Sequence, residues 1–444
     1  MEKGLLVVIL SVFIFFPLFA QQQDGLKIGD TTWTFNGEIR FVYTDQTDLD
    51  IWQWSFLTNE QDDYNRMYQR YRFGVTGSLS DRLSAHFEFQ VGDEQWGNKN
   101  YNEREMNLRT LYAYLQFRPE FLGDNTSFRV GLQGFDDMFK TAIFHGEAVG
   151  IIASHETEVL SIDTGFLSIM DDDGYGEIDP ASLNVLPRSE TLYLAEVTMN
   201  ASKSLDLKAG LYLDHMKDAL TPFDIHLKYH MFYGGLGVDY TMNDNVQFGT
   251  QFLYRNGDME VDFLDMMHMT FDIDGWFAYG YADYTRDDFK ARINFGYSPN
   301  EFDSVGEAYT QLFWSGAVPD VYVGPGMISI NFDGRQRPTA YGLEFAGYGD
   351  VCDDQAVYSY YSGMMVVSAN LAYKFLYTNF GIIRSTDPTI ESKGLGTELD
   401  LGVKTNVLKG LEFKAVYAIF FAGEFYGEDP MNAHEMSMRL QYTY

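Results

Sequence analysis

Apolar and polar residues alternate one for one through long parts of this chain. At its end, Met436, Met438, Leu440, Tyr442 and Tyr444 alternate with Glu435, Ser437, Arg439, Gln441 and Thr443. Near its start, Trp33, Phe35, Ile39, Phe41 and Tyr43 alternate with Thr34, Asn36, Glu38, Arg40 and Thr44. A period of two sends the two sets to opposite sides of a strand, so each segment separates two different environments. Tyr71 to Leu79, Leu83 to Val91, Leu205 to Leu213, Val246 to Tyr254, Phe289 to Tyr297, Leu395 to Val403 and Leu411 to Phe421 read the same way. Each is about ten residues long, the length a tilted strand needs to cross a hydrocarbon layer.

The connections between these segments also alternate. Tight polar turns fall at Ser80-Asp81-Arg82, Asn200 to Ser204, Asn243-Asp244-Asn245, Arg286-Asp287-Asp288 and Asn406 to Lys409. Long acidic stretches separate those hairpins: Asp45 to Asn65, Asp93 to Arg104, Asp171 to Ser189, Asn256 to Thr270, Pro299 to Thr339 and Gly423 to Ala433. Short turns at one end and long loops at the other predict an all-β fold, a transmembrane antiparallel up-and-down β-barrel of about 16–18 strands. The stretch from Phe135 to Arg188 carries the weakest strand signal. A secreted β-sandwich or propeller would also alternate. The membrane is favoured by aromatics near the segment ends, by hairpins repeating in one sense, and by the closing aromatic strand.

The first twenty residues fit an export signal. Lys3 is followed by an apolar run from Leu5 to Phe16, and Ala20 precedes Gln21. This arrangement predicts a signal peptide over residues 1–20 and a barrel over 21–444. With Gln21 in place of a cysteine after the cut, a lipid anchor is not expected.

Composition narrows the function classes. Lys and Arg total 31 against 64 Asp and Glu, a net charge of −33, and 36 Phe, 31 Tyr and 6 Trp accompany that acidity. So acidic a chain does not offer the electropositive face that nucleic acid requires. One cysteine, Cys352, excludes a disulfide scaffold. The aromatics argue against an acidic disordered chain. In a barrel they belong to the lipid face and its borders, while the acids gather in the loops.

Strand parity places Arg40, Arg66, Arg70, Arg72, Arg109, Arg129, Lys228, Lys290, Arg292, Lys374, Lys414 and Arg439 among the inward basic residues. Glu38, Glu88, Glu196, Asp214, Asp239, Asp274, Asp283, Glu398, Asp400 and Glu412 fall among the inward acids. A polar wall with both signs of charge suits a wet channel. Arg66, Arg70 and Arg72 share one strand face, with Arg40, Arg109 and Arg129 on strands nearby. Guanidinium forks stacked in this way would attract carboxylate or phosphate groups, or else brace the wall against Glu38 and Glu88.

These residues also carry a family resemblance. Arg70-Tyr71-Arg72-Phe73-Gly74, then Gln90 and Trp96-Gly97, resembles the opening hairpin of the alginate-export outer-membrane porins. Leu111-Tyr112-Ala113-Tyr114-Leu115 with Arg129-Val130-Gly131-Leu132-Gln133 is similar to that family's next hairpin. The resemblance implies an 18-stranded channel whose electropositive constriction passes acidic polysaccharide, with Arg70, Arg72 and Arg129 in that constriction. Leu132 stands where the family often has arginine.

The reading is therefore a porin of the Gram-negative outer membrane, passing small hydrophilic solutes or acidic saccharides. Its expected partners are the solute, the surrounding lipid and lipopolysaccharide, and the barrel-assembly machinery. The alternative is a structural or adhesive barrel with cation-binding loops. No cofactor is expected beyond structural Ca²⁺ at Asp171, Asp173 and Asp179, where acids alternate around Gly176, although Tyr175 and Ser182 break the calcium-loop pattern. His226 and His230 share one strand face about 13 Å apart, too far to chelate one metal, and read as lumen lining. An enzyme is not expected. No Gly-x-Ser-x-Gly elbow occurs, and the nearest catalytic candidates are Asp214-His215 and His145-Gly146-Glu147.

Overall fold

A computed structural model describes residues 25–47, 64–96, 108–139, 143–169, 190–220, 225–263, 267–298, 364–386, 394–424 and 432–444. They form one closed antiparallel β-barrel. A short strand β1 (Leu26–Ile28) precedes the eighteen barrel strands: β2 (Thr31–Thr47), β3 (Tyr64–Ser80), β4 (Leu83–Trp96), β5 (Leu108–Phe117), β6 (Thr126–Asp136), β7 (His145–Glu156), β8 (Leu160–Ile169), β9 (Glu190–Ser202), β10 (Leu205–Leu220), β11 (Ile225–Asn243), β12 (Val246–Phe263), β13 (Met267–Arg286), β14 (Phe289–Ser298), β15 (Met364–Tyr373), β16 (Leu376–Ser385), β17 (Gly394–Leu408), β18 (Leu411–Ala422) and β19 (Ala433–Thr443). Each pairs with the next in sequence, and β19 pairs with β2 from His434↔Thr47 to Thr443↔Glu38. The count meets the upper end of the expected range. No helix among the described residues is long and apolar enough to cross a membrane.

The tight-turn end is built as the turn residues demand. Gly410 takes φ +79° between β17 and β18, and Asp287 (φ +50°) and Lys374 (φ +56°) adopt the same left-handed region in their hairpins. Lys374 is thus a turn residue and does not line the lumen. Between β5 and β6 a single 3₁₀ turn, Glu120–Leu122, replaces the tight hairpin. The expected long loop from Asn256 to Thr270 is also corrected. β12 and β13 stay paired out to Phe263↔Met267, because the sequence keeps a period of two there, Met259, Val261 and Phe263 alternating with Asp258, Glu260 and Asp262.

Alternation sorts the two faces as two solvents require. On β10 and β11, Tyr212, Asp214, Met231 and Tyr233 are buried, whereas Leu211, Leu213, Phe232 and Leu236 are exposed. Exposed Leu, Phe, Ile and Tyr recur on the same outward parity around the barrel, including Leu115, Ile151, Phe166, Phe252, Ile293, Phe380 and Leu401. An apolar belt of that extent would drive aggregation in water and is stable against hydrocarbon. Tyr193, Tyr254 and Trp276 border it towards the long-loop end, the placement of an interfacial aromatic girdle.

The seam between β19 and β2 closes on the final residue. Gly37 N–H donates to the Tyr444 carbonyl at 3.2 Å, and Tyr444 N–H donates to the Gly37 carbonyl at 3.1 Å. A Cβ at Gly37 would lie 2.5 Å from the Arg72 carbonyl oxygen and 2.6 Å from Tyr444 Cζ. Gly37→Val should therefore push the Tyr444 ring off the seam and destabilise the barrel by about 1–3 kcal/mol, the usual range for overpacking. A lower urea midpoint for loss of the heat-modifiable band on gels is the expected result.

Candidate functional site: the barrel lumen and its inward loop

Between β6 and β7 the chain turns into the barrel. Asp137, fully enclosed, organises this turn: Oδ1 accepts from Phe139 N–H at 2.7 Å, and Oδ2 accepts from Ile143 and Phe144 N–H at 2.7 and 2.8 Å. From β9, Glu196 fastens the same segment, accepting from Met138 N–H at 2.9 Å and from the Tyr212 hydroxyl at 2.5 Å. Phe139 and Ile143 are completely buried. The Phe139 ring sits in a socket made by two glycines. A Cβ on Gly210 or on Gly235 would lie 2.6 Å from Phe139 Cε2, and Tyr212 meets the ring edge-on at 6.2 Å. Burying that ring favours the inward position by about 2–3 kcal/mol.

The loop covers an apolar stretch of inner wall. Ile152, Leu167, Leu192, Leu194, Leu253 and Phe277 point inward from β7, β8, β9, β12 and β13, each at most 3% exposed. From β13 onward the neighbouring wall is polar. There a chain of donors runs strand to strand: the Tyr279 hydroxyl to Asn294 Oδ1 (2.7 Å), Asn294 Nδ2 to Asn370 Oδ1 (3.0 Å), Asn370 Nδ2 to Asn379 Oδ1 (3.3 Å), and Asn379 Nδ2 to Asp400 Oδ2 (3.1 Å). All four acceptor residues are at most 4% exposed.

Beyond this chain lies the basic cluster. Glu38 on β2 accepts from Arg70 Nε at 3.0 Å and Nη2 at 2.7 Å, a two-pronged contact, and from Arg40 Nη2 at 3.1 Å. Gln441 of β19 also donates to Glu38, at 2.8 Å. Arg40 and Arg70 are consequently buried, at 8% and 3% exposure. Elsewhere Lys208 meets Asp239 at 2.7 Å, Arg439 meets Glu412 at 2.6 Å, and Arg292 is clasped by Asp283 beneath the Tyr281 ring. Arg72 and Arg129 are held differently. Arg72 Nε donates to the Gln90 amide oxygen at 2.7 Å, and Arg129 lies over the Tyr114 ring at 5.6 Å, both side chains only half-buried. Lys290 is exposed on the inward parity near the tight-turn end.

The structure thus brings Arg40, Arg70 and Arg72 together and spreads Arg129, Lys290 and Arg292 over other strands. Arg66 and Arg109 lie on β3 and β5, but their side chains fall outside the described residues, as do Asp171, Asp173, Asp179 and Cys352. Further inward assignments are corrected. Lys228 pairs with Glu260 on the parity of the exposed His230 and Phe232, so Lys228 and His230 belong to the outer face, while the His226 side chain falls outside the described residues. Asp274 flanks the buried Gly275 and likewise points outward. Asp214 and His215 project from opposite faces of β10, so they make no catalytic dyad. Sequence reasoning missed the Asp137–Glu196–Phe139 fastening. Its one local signal was the run of apolar residues around Phe139 inside a connection.

No family model matches the chain, and no curated protein matches it. The likeness to alginate-export porins stays confined to the short segments that suggested it. Among solved structures the chain is similar to Pseudomonas aeruginosa OccK9 (OpdG), with a TM-score of 0.55, 11% identity, and coverage of 96% of this chain and 99% of that one. It is also similar to Acinetobacter baumannii OccAB1, at a TM-score of 0.55, 12% identity, and coverage of 95% and 99%. Pseudomonas aeruginosa OpdK, solved with vanillate, scores 0.53 at 11% identity over 93% and 98%. At such identities the agreement is one of fold.

Two outcomes follow from the inward loop. Phe139→Ala empties the glycine socket, at about 3–5 kcal/mol for a buried phenylalanine, and should raise single-channel conductance and its noise. Burial pushes the Asp137 carboxyl up to about 6, against three amide donors that oppose the shift. A carboxyl higher in the docked loop than in free chain binds its proton more tightly when docked. Docking is therefore firmest below about pH 4 and loses that increment as pH rises through about 6. Protection of the Phe139, Ile143 and Phe144 amides in hydrogen exchange, corrected for intrinsic rate, should fall from pH 4 to pH 7, and the fall should be smaller in Asp137→Asn.

Proposed function

We propose that this protein is an outer-membrane diffusion channel for small hydrophilic solutes, with a preference for those carrying a carboxylate or similar anionic group. The single observation that carries the reading is the closed barrel with lipid-type residues outside, a charged and amide-lined wall inside, and a loop drawn into the lumen between them. A barrel serving only as an anchor has no need of an inward loop held by two carboxylates and a socketed ring. An apolar stretch of wall beside a polar one suits solutes with an unlike pair of ends.

Anion preference rests on how the inner cations are held. Glu38 neutralises part of the Arg40–Arg70 charge, and Asp239, Asp283 and Glu412 offset Lys208, Arg292 and Arg439. Arg72 shares the nearby Glu38 and Glu88 but donates directly to a neutral amide, Arg129 lies over a neutral ring, and Lys290 is exposed on the inward parity. The fold neighbours support the channel reading, and the vanillate in the OpdK structure is itself an aromatic carboxylate. The short likeness to alginate-export porins would extend the same preference to acidic saccharides. The adhesive alternative has no comparable support among the described residues.

Purified protein in planar bilayers should give discrete conductance steps. With a salt gradient, the reversal potential should indicate anion preference, and Arg72→Ala with Arg129→Ala should move it towards cation selectivity. Absence of steps would overturn the channel reading, and an unmoved reversal potential would reduce the arginines to wall bracing.

A further inference from the structure

His215 on β10 and His230 on β11 are directly opposite each other in the ladder. Both lie on the outward parity: their neighbours Asp214 and Met231 are buried inward, His215 is half-buried and His230 is exposed. Their height on the barrel is defined by the belt. Outward residues on β10 run Leu211, Leu213, then His215. On β11 they run Leu236, Phe232, then His230, and on β12 Phe252, Tyr254, then Asn256 and Asp258. The pair therefore stands one position beyond the aromatic border, where water reaches it.

The two imidazoles stack with centroids 4.3 Å apart and planes 17° apart, and their Nδ1 atoms approach to 2.8 Å. Two imidazolium rings cannot face N–H to N–H at that distance, so at least one Nδ1 is a bare acceptor. A right angle between two metal–imidazole bonds of about 2.0–2.1 Å places the nitrogens about 2.9 Å apart. The nitrogen spacing is that of two cis ligands, and turning the rings out of the stack about χ2 would aim both in-plane lone pairs at one ion. Asp258 pairs with His230 from its other side and shares the outward face. Two histidines along one strand cannot chelate, but two across a ladder can.

We propose that His215 and His230 form a cross-strand bis-imidazole site for a divalent transition metal of the Cu²⁺, Ni²⁺ or Zn²⁺ type on the outer rim of the barrel. The metal binds both Nδ1 atoms and replaces the contact between them. The donating ring moves its Nδ1 proton to Nε2, so both ligands stay neutral and no net proton is released. Water completes the coordination. Nitrogen ligands select against Ca²⁺ and Mg²⁺, which prefer oxygen shells. Tying β10 to β11 at the rim, the ion would brace the outermost part of these strands.

The test is Cu²⁺ titration of the detergent-folded full chain, read by electron paramagnetic resonance. The expected spectrum shows one copper centre coupled to two nitrogens. His215→Asn and His230→Asn should each reduce it to one nitrogen and weaken binding at least tenfold, with the folded band on gels retained. His268→Asn, on β13 outside the pair, should change nothing. Excess Ni²⁺ or Zn²⁺ should displace the copper, millimolar Ca²⁺ should not, and acidification should release it as the imidazoles protonate. A wild-type centre with one nitrogen or none, a spectrum unchanged in both pair variants, loss of the signal in His268→Asn, or displacement by Ca²⁺ would each overturn the assignment.

Discussion

Every backbone amide in a hydrocarbon layer must find its partner within the protein, and a sheet can meet that demand only by closing on itself. In this chain the closure is the β19–β2 ladder, completed by the reciprocal bonds between Gly37 and Tyr444. The eighteen-strand ring, the sorting of side chains into two solvents and the space inside all presuppose it. The first strand after the described N-terminus, β1, pairs with β2 at Leu26↔Trp33, continuing the edge just beyond the point where β19 ends. The ladder therefore passes from one end of the chain to the other with hardly a break.

Closure creates a lumen, and the lumen has two unlike walls. The apolar wall is covered by the inward loop, whose own polar atoms are gathered onto Asp137 and Glu196. On the other side, acids are matched to bases strand by strand. Neither wall would be stable in the role of the other. Leu253 and Phe277 facing open water would forfeit their burial, and the Arg40–Glu38–Arg70 group facing the loop would lose its ring of polar neighbours.

The architecture was legible in the sequence because period-two alternation is a local property. Val246 to Tyr254 and Leu411 to Phe421 each state their own faces without reference to any neighbour. Hairpin turns are local too, as Arg286-Asp287-Asp288 shows. The site was legible only in part. Arg70 and Arg72 could be placed on one face by counting, but their charge state depends on Glu38, brought alongside by ladder register. The socket for Phe139 needs two glycines more than seventy residues further along the chain, and no short-range signal joins them. Lys228 failed for another reason: past the belt the outward set on β11 turns polar, with His230 exposed, while the inward Met231 is apolar and buried, so apolar parity no longer marks the outside.

The amide chain on the polar wall has a directional consequence. From Tyr279 through Asn294, Asn370 and Asn379, every link donates the same way around the barrel and ends on Asp400. Dipoles so aligned add instead of cancelling, and the field they make runs tangentially, across the axis of passage. Such a field exerts little pull along the pore but a real torque on a molecule with separated charges. Because the amides are pinned by one another, the torque is present before a solute arrives and needs no rearrangement to appear. The wall would act as an aligner, turning each solute to one orientation as it passes.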